Sequence, residues 1–244
     1  MPKLRLSPGN PNQPEQIDSH FVPGGRWEAK GGRQQTTRHA ECFLKHVCPP
    51  RQGSFSFLDV GCALGDAMPM FRKAFPEATL SGCDISEKAV RRCQEEYGHL
   101  ARFFQSSVGE LTDHYDVIHC SNVIEHVENY VEIVQHLTSL AETLYIMVPY
   151  NEHYKGQPLR PEMGFWHIAT FDEHTFDSLT SETLRLRYTT YNCRPAWTWK
   201  LPLRKLDAWL HRWPYVDEQI AYEFTRVAPG ADAQATVTAK LVSL

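Results

Sequence analysis

The sequence predicts an α/β fold with a doubly wound, mostly parallel sheet and an antiparallel hairpin at its C-terminal end. Short apolar runs alternate with segments of helical periodicity through most of the chain, and strands separated by helices favour a parallel sheet. The run from Thr143 to Val148 is continuously apolar, which is typical of a strand covered on both faces. The last two apolar runs flank Pro229 and Gly230, which indicates a hairpin.

Local signals justify the individual elements. Apolar residues recur at helical spacing after a turn of small residues and again after His126, and Ser86 is a predicted N-cap of the helix that runs to Tyr97. The predicted strands lie at 55–60, 78–84, 101–105, 115–120, 143–148, 184–191, 220–227 and 235–242. The predicted helices lie around 37–47, 68–75, 86–97, 127–134 and 172–179.

The chain divides into an arm and one domain. Residues 1–25 hold five of the 16 prolines, so we expect an extended or partly disordered N-terminal arm. Residues 26–244 form a single predicted domain, which is the simpler interpretation for a chain of this length. Within it, residues 192–216 stand out as an insertion rich in tryptophan and basic residues.

Composition limits the classes of partner. The chain has 25 Lys+Arg against 29 Asp+Glu, so its total charge gives no reason to expect a nucleic-acid partner. Its seven cysteines contain no CxxC pair, and we expect them to be reduced, as in a cytoplasmic protein. The N-terminus lacks the apolar region of a secretory signal, and no stretch approaches the ~20 apolar residues of a membrane span.

A cofactor pocket is predicted where the first two strands end. The first strand runs through Asp59 into the small residues Gly61, Cys62, Ala63 and Gly65, and Asp84 ends the second strand. Small residues let the backbone approach a ligand closely, and an acid at the neighbouring strand end can accept both hydroxyls of a ribose. The arrangement predicts a nucleoside-bearing cofactor.

Three motifs in register carry a resemblance to a known family. They are Leu58-Asp59-Val60-Gly61-Cys62-Ala63-Leu64-Gly65, Gly82-Cys83-Asp84-Ile85-Ser86, and Tyr115-Asp116-Val117-Ile118 with Val123-Ile124-Glu125-His126-Val127. From about residue 27 to residue 179 the chain resembles the class I S-adenosylmethionine-dependent methyltransferases, in particular the small enzymes that act on metabolites, sugars and natural products. The resemblance implies a Rossmann-like methyltransferase fold and S-adenosyl-L-methionine as cofactor. The absence of Gly-x-Gly-x-x-Gly weakens a nicotinamide alternative.

The resemblance also implies roles for individual residues. The middle glycine of the first motif is Ala63 here, a modest change if that position does not need a positive φ. A segment from Arg26 to Gln35 resembles a flap that some relatives fold over the cofactor, with Arg33 or Gln35 binding its carboxylate. The implied cofactor-binding residues are Trp27, Arg33, Asp59, Gly61, Cys62, Gly65, Asp84, Ile85, Ser107, Val108 and Asn122.

Two of these assignments have structural alternatives. Asn122 follows the fourth strand and is expected beside the reactive methyl group, but N-capping explains it equally well. Trp27 is expected at the adenine or the sulfonium, although a tryptophan that packs against the arm is equally plausible.

The candidate catalytic residues are His167 and His126. Oxygen must lose a proton as it is methylated, and a histidine is suited to receive that proton. His167 is the first candidate for a general base, against a structural histidine bonded to backbone; His126 belongs to a Glu-His pair that often supports structure in the family. Metal-dependent RNA 3′-end 2′-O-methyltransferases gather a Glu-His pair and a later histidine around a cation, but Asn122 replaces their second acid, and we expect no metal.

The insertion at 192–216 holds four of the six tryptophans and five positive charges. Its apolar residues recur at helical spacing, which predicts a short amphipathic helix. That helix could pack over the sheet or against a homodimer mate, form a lid over the acceptor, or contact a membrane surface through 197–213.

The predicted function is O-methylation of a small molecule such as a sugar or secondary metabolite. The alternatives are N-methylation of a small molecule and a non-catalytic protein that binds cofactor or a partner on the same scaffold.

Overall fold

The computed structural model describes residues 2–6, 12–163, 166–193, 218–228 and 239–241. The helices are α1 (Pro14–His20), α2 (Arg26–Ala29), α3 (Gly32–His46), α4 (Met68–Ala74), α5 (Glu87–Tyr97) and α6 (Tyr130–Leu140). The strands are β1 (Ser56–Val60), β2 (Thr79–Asp84), β3 (Arg102–Gln105), β4 (Tyr115–Ser121), β5 (Ala141–Pro149), β6 (His153–Tyr154), β7 (Gln157–Pro158), β8 (Leu184–Asn192), β9 (Glu218–Arg226) and β10 (Ala239–Leu241).

Eight of these strands form one sheet in the order β10-β8-β9-β5-β4-β1-β2-β3. Strands β1 to β5 are mutually parallel, and β9 lies antiparallel between β5 and β8. The predicted α/β class, the mostly parallel sheet and the presence of an antiparallel strand pair are confirmed.

The sheet is buried on both faces. Leu58, Ile118 and Ile146 contribute to a core on one face, whereas Phe57, Val117 and Met147 contribute to a core on the other. Adjacent positions of each strand therefore point into different cores, which explains why these strands are continuous apolar runs. The carboxyl ends of the parallel strands meet at one edge of the sheet.

The N-terminal arm is more ordered than composition predicted. Residues 14–20, inside the segment expected to be extended or partly disordered, form α1, with a proline in its first turn. Proline fits the first turn of a helix because its missing N–H has no helical partner there. The Asp18 carboxylate accepts hydrogen bonds from the Ser86 hydroxyl and, at 3.5 Å, the Lys88 amide, so α1 is held against the start of α5.

The predicted helix at 172–179 is replaced by turns and a short 3₁₀ helix at Asp177–Leu179. The Asp172 carboxylate accepts bonds from the His174 amide and the Thr175 hydroxyl, and the Asp172 amide donates to Thr175 Oγ1. These local side-chain bonds compete with helical hydrogen bonding, and periodicity alone did not reveal them.

The predicted C-terminal hairpin pairs differently. The strand expected at 220–227 is present as β9, but its antiparallel partners are β8 and β5. The described part of the other segment, β10, pairs in parallel with β8. The long β8 offers nine register partners to β9, and this pairing takes the place of the hairpin.

Two further expectations are limited by the described residues. The amphipathic helix predicted within 192–216 lies almost entirely outside them, as do its proposed contacts with a dimer mate or a membrane. Of the helices in the described ranges, none combines the length and the apolar character that crossing a bilayer requires.

Candidate functional site

A cavity of about 450 Å³ opens at the carboxyl ends of the parallel strands. The strand ends and their loops form its floor, and the N-terminal segment covers it. Its lining includes Leu4, Leu6, Phe21, Trp27, Gln35, Gly61, Ala63, Asp84, Ile85, Ser106, Val108, Asn122, His126, Trp166 and His167. Ligands of doubly wound folds bind at this edge of the sheet, so the cavity is the candidate site.

The turn after β1 forms one wall of the cavity through its backbone. Gly61 has φ +73°, and its amide donates to the Cys83 carbonyl over 2.8 Å. A Cβ at Gly61 would lie 2.2 Å from Val123 Cγ2, so glycine is required there for both conformation and space. Ala63 adopts φ +49°, contrary to the condition under which alanine would be a modest exchange, so the turn holds alanine in a strained region.

Asp84 organises this turn. One carboxylate oxygen accepts from the Ala63 amide over 3.0 Å, and the other accepts from the Ser86 amide over 2.9 Å. Burial raises the pKa of Asp84 to about 6, against the lowering effect of these two hydrogen bonds. Asp84 lines the cavity, and each oxygen has a second lone pair, which suits a donor such as a ribose hydroxyl.

Asp59 lies beside the main cavity in a second space of about 70 Å³. Its Oδ1 pairs with His119 Nδ1 at 2.7 Å, and the two residues are register neighbours on β1 and β4. The smaller cavity shares Trp27, Gln35 and Gly61 with the larger one. The two spaces are therefore adjacent, and the smaller one has the buried carboxylate of Asp59 in its lining.

Trp27 separates the two cavities and lines both. Its ring lies so close to Gly32 that a Cβ there would be 2.3 Å from it, and it contacts the ring of Phe21 at 5.5 Å between centroids. Trp27 Nε1 is buried and has no hydrogen-bond partner among the described residues. An unpaired buried donor on a cavity wall is a group that a ligand acceptor would satisfy.

Four of the predicted cofactor-binding residues line neither of the two cavities. Arg33 binds three carboxylates, Glu28, Asp66 and Glu96, at 2.7 to 3.0 Å. Cys62 is buried in the core, and Gly65 faces Tyr97 and Cys93. Ser107 forms a capping box with Glu110, and Ser106 lines the cavity in its place.

The other predicted cofactor residues line one or both cavities. Asn122 has φ +55°, and its Nδ2 donates to Glu125 Oε1 at 3.1 Å; it does not cap a helix, because the α6 N-cap is Asn129.

Glu125 is 1% exposed, and its Oε2 has no hydrogen-bond partner within the described ranges. Burial raises the pKa of Glu125 to about 7, although His167 and the Asn122 bond oppose this.

His126 and His167 meet on the wall next to Asn122. Their ring centroids are 5.0 Å apart. His126 Nδ1 donates to the Trp166 carbonyl at 2.6 Å, and His167 Nδ1 pairs with a Glu152 oxygen at 2.5 Å. Each ring is thus held through Nδ1, which leaves Nε2 as its second polar atom.

The two imidazoles have opposite electrostatic environments. Burial and the neighbouring His167 lower the pKa of His126 to about 4. Burial also lowers the pKa of His167, but the Glu152 hydrogen bond and the charges of Glu125 and Glu152 outweigh it, so its pKa lies above the usual value.

Sequence reasoning missed three residues of this site. His119 occupies the strand position facing Asp59, and strand alternation could have indicated it. Glu152 lies 15 positions before His167 in the sequence, and periodicity gives no signal there. Trp166 contacts His20 at 4.6 Å and lies 5.3 Å below the Arg26 guanidinium, so it joins the N-terminal segment to the histidine wall.

The comparisons with solved structures agree with this fold. The plantazolicin methyltransferase BpumL with a triazolic desmethylPZN analog and SAH is 18% identical, with a TM-score of 0.56, over 87% of this chain and 91% of that one. Magnesium protoporphyrin IX methyltransferase from Synechocystis PCC 6803 with bound SAM is 18% identical, with a TM-score of 0.51, over 80% of each.

A third similar structure is a chain of the Haloferax volcanii complex between the Trm112 methyltransferase activator and a methyltransferase. It is 15% identical, with a TM-score of 0.63, over 88% of this chain and 98% of that one. A search of curated protein sequences gave no match. The family model described as a methyltransferase domain matches residues 32–221, a range that contains β1 to β5 and most of the cavity. The chain therefore belongs to the methyltransferase-domain family.

Proposed function

We propose that the protein transfers the methyl group of S-adenosylmethionine to an oxygen atom of a small-molecule acceptor. The observation that carries this proposal is the position of Asp84, which lines the same cavity as His126 and His167. Cofactor-binding and acceptor-activating groups thus share one enclosed space.

The residues present fit this cofactor. The backbone wall at Gly61, the carboxylate of Asp84 and the unpaired Trp27 Nε1 offer a close approach, two acceptors and one donor to a polar ligand. Asp59 lies in the smaller cavity, where a carboxylate suits an ammonium group. Gln35 lines both cavities. We therefore assign to Gln35 the binding of the cofactor carboxylate, for which Arg33 was the other candidate.

Methyl transfer depends mainly on aligning the acceptor atom with the methyl group, and less on side chains that assist bond cleavage. S-adenosylmethionine supplies an electrophilic methyl group on a sulfonium, open to in-line attack by an oxygen. The cavity walls exclude water and orient the acceptor, which can account for most of the acceleration. We propose that His126 and His167 act on the acceptor hydroxyl, because both residues line the cavity and their Nδ1 atoms are fixed by the Trp166 carbonyl and Glu152.

Calorimetric titration with S-adenosylhomocysteine tests the cofactor site. The Asp84→Asn variant should bind at least about tenfold more weakly, because the amide keeps only one acceptor oxygen. Asp116→Asn is a matched control, because Asp116 lies at the amino end of β4, whereas the cavity lies at the carboxyl ends of the strands. Its carboxylate accepts a hydrogen bond from the Ser56 amide. Equal affinity in all three proteins would refute the role of Asp84.

The oxygen preference needs a separate test. Matched pairs of hydroxyl and amine acceptors with the same carbon skeleton should be methylated on oxygen, as judged by the position of a labelled methyl group in the product spectrum. Methylation of the amines alone would overturn the oxygen assignment and leave the cofactor assignment in place.

A further inference from the structure

Three side chains, two of them in the cavity wall, form a cluster that a general base does not explain. Glu125, His126 and His167 each offer one ligand atom, and these atoms all lie within 4.8 Å of one another. A histidine base needs one imidazole and one partner to orient it. Here a second imidazole and a buried carboxylate converge on the same point.

The cluster also has the outer contacts of a metal site. Histidines that bind metals donate their other ring N–H to a carboxylate or a backbone carbonyl. His126 Nδ1 bonds the Trp166 carbonyl at 2.6 Å, and His167 Nδ1 bonds Glu152 at 2.5 Å. Both imidazoles are thereby fixed with Nε2 as the remaining ligand atom.

The carboxylate completes the set. Glu125 is 1% exposed; its Oε1 accepts from Asn122, whereas its Oε2 is buried with no hydrogen-bond partner in the described parts of the chain. A buried carboxylate oxygen without a partner is unfavourable unless a cation or donor approaches it. Two imidazoles and one carboxylate are a ligand set for zinc, manganese, iron(II) or cobalt, and leave coordination positions open.

We infer that Glu125, His126 and His167 bind a divalent transition-metal cation, whose open positions hold the acceptor oxygen. Ligand bonds near 2.1 Å bring the ligand atoms closer together than the 4.8 Å that bounds them here, so we expect the three side chains to adjust when the cation binds.

The inference rests on the proposed function and specifies the acceptor as an oxygen compound. A hydroxyl bound to the cation loses its proton to solvent more readily. The new O–C bond then forms as the S–C bond breaks, and the sulfonium leaves as a neutral thioether. In this arrangement His126 and His167 act on the oxygen through the cation that they hold with Glu125. The sequence led us to expect no metal; the cluster of Glu125, His126 and His167 leads us to propose one instead.

The experiment uses the full chain after treatment with a chelator. Titration with Co²⁺ should give a visible absorption band of nitrogen-ligated cobalt and one bound ion per chain, and Zn²⁺ should displace it. Glu125→Gln and His167→Gln should each weaken Co²⁺ binding at least about 100-fold. His174→Gln is the matched control, because His174 also pairs with a carboxylate, Asp177, but is 81% exposed and does not belong to the cluster.

Binding of S-adenosylhomocysteine, measured on the same samples, separates the two proposals. Variants that lose cobalt yet keep their cofactor affinity support the cation site and show that the proteins are folded. If wild-type protein binds S-adenosylhomocysteine but gives no cobalt band, or if the variants bind cobalt like the control, the cation proposal is wrong while the proposed function stands. If no S-adenosylhomocysteine binds, the proposed function fails irrespective of cobalt.

Discussion

Gly61→Ala tests whether the cofactor-facing turn depends on glycine for space as well as for conformation. An alanine at φ +73° incurs a backbone cost of about 1–2 kcal/mol, reduced by the lower entropy of the unfolded chain to about 1 kcal/mol. The new Cβ would lie 2.2 Å from Val123 Cγ2, and overpacking of this kind adds about 1–3 kcal/mol. The free energy of unfolding should therefore fall by about 2–4 kcal/mol.

Urea denaturation followed by circular dichroism measures this loss. Gly24→Ala is the control for the backbone part, because Gly24 has φ +67° and no described atom lies within 4 Å of a Cβ built there; it should cost about 1 kcal/mol. Val123→Ala removes the clashing methyl group, so Gly61→Ala in that background should also cost about 1 kcal/mol. An equal loss with and without the Val123 methyl groups would refute the steric argument.

Three further predictions concern the cofactor side of the cavity. Because burial raises the pKa of Asp84 to about 6, affinity for S-adenosylhomocysteine should fall up to tenfold per pH unit below 6 as the carboxylate gains a proton, and calorimetry of Asp84→Asn should show no such dependence. Trp27→Phe removes an unpaired buried N–H, so thermal melting should show unchanged or slightly higher stability without ligand, and a several-fold weaker affinity for S-adenosylhomocysteine. Arg33→Lys should reduce the unfolding free energy by about 1–3 kcal/mol, since lysine cannot bind three carboxylates, while cofactor affinity stays within about threefold; a large affinity loss would return Arg33 to the binding site.

Local signals predicted the parallel half of the fold correctly. The boundaries of β2, α5 and β4 differ from the predicted ones by about one residue, because an apolar run and an N-cap such as Ser86 act over a few positions. The errors lie where distant segments compete. At β8, both later segments pair with the same strand, β9 antiparallel and β10 parallel, and the sequence does not reveal that they pair with β8 rather than with each other.

In the candidate site, too, the residues close together in sequence were predicted better than those that depend on distant contacts. Asp59, Gly61 and Asp84 belong to strand ends and one tight turn, so their convergence follows from the topology of a parallel sheet. Arg33 was assigned from its charge, but its charge is used by three acids, two of them more than 30 positions away in the sequence. Charge alone cannot distinguish a ligand-binding arginine from one that stabilises the fold.

This division explains why the cofactor is easier to infer than the acceptor. The proposed cofactor end of the cavity is formed by backbone atoms of one turn and by side chains at strand ends. A short sequence motif specifies both. The proposed acceptor end is built from segments far apart in sequence: α1 and α2 contact Trp166, the chain after β5 supplies Glu152 and His167, and the loop after β4 supplies Glu125 and His126. Changes in any of these segments would alter the acceptor without disturbing Asp84 or Gly61. Acceptor specificity should therefore be sought in Trp166 and the histidine wall, where the three segments meet.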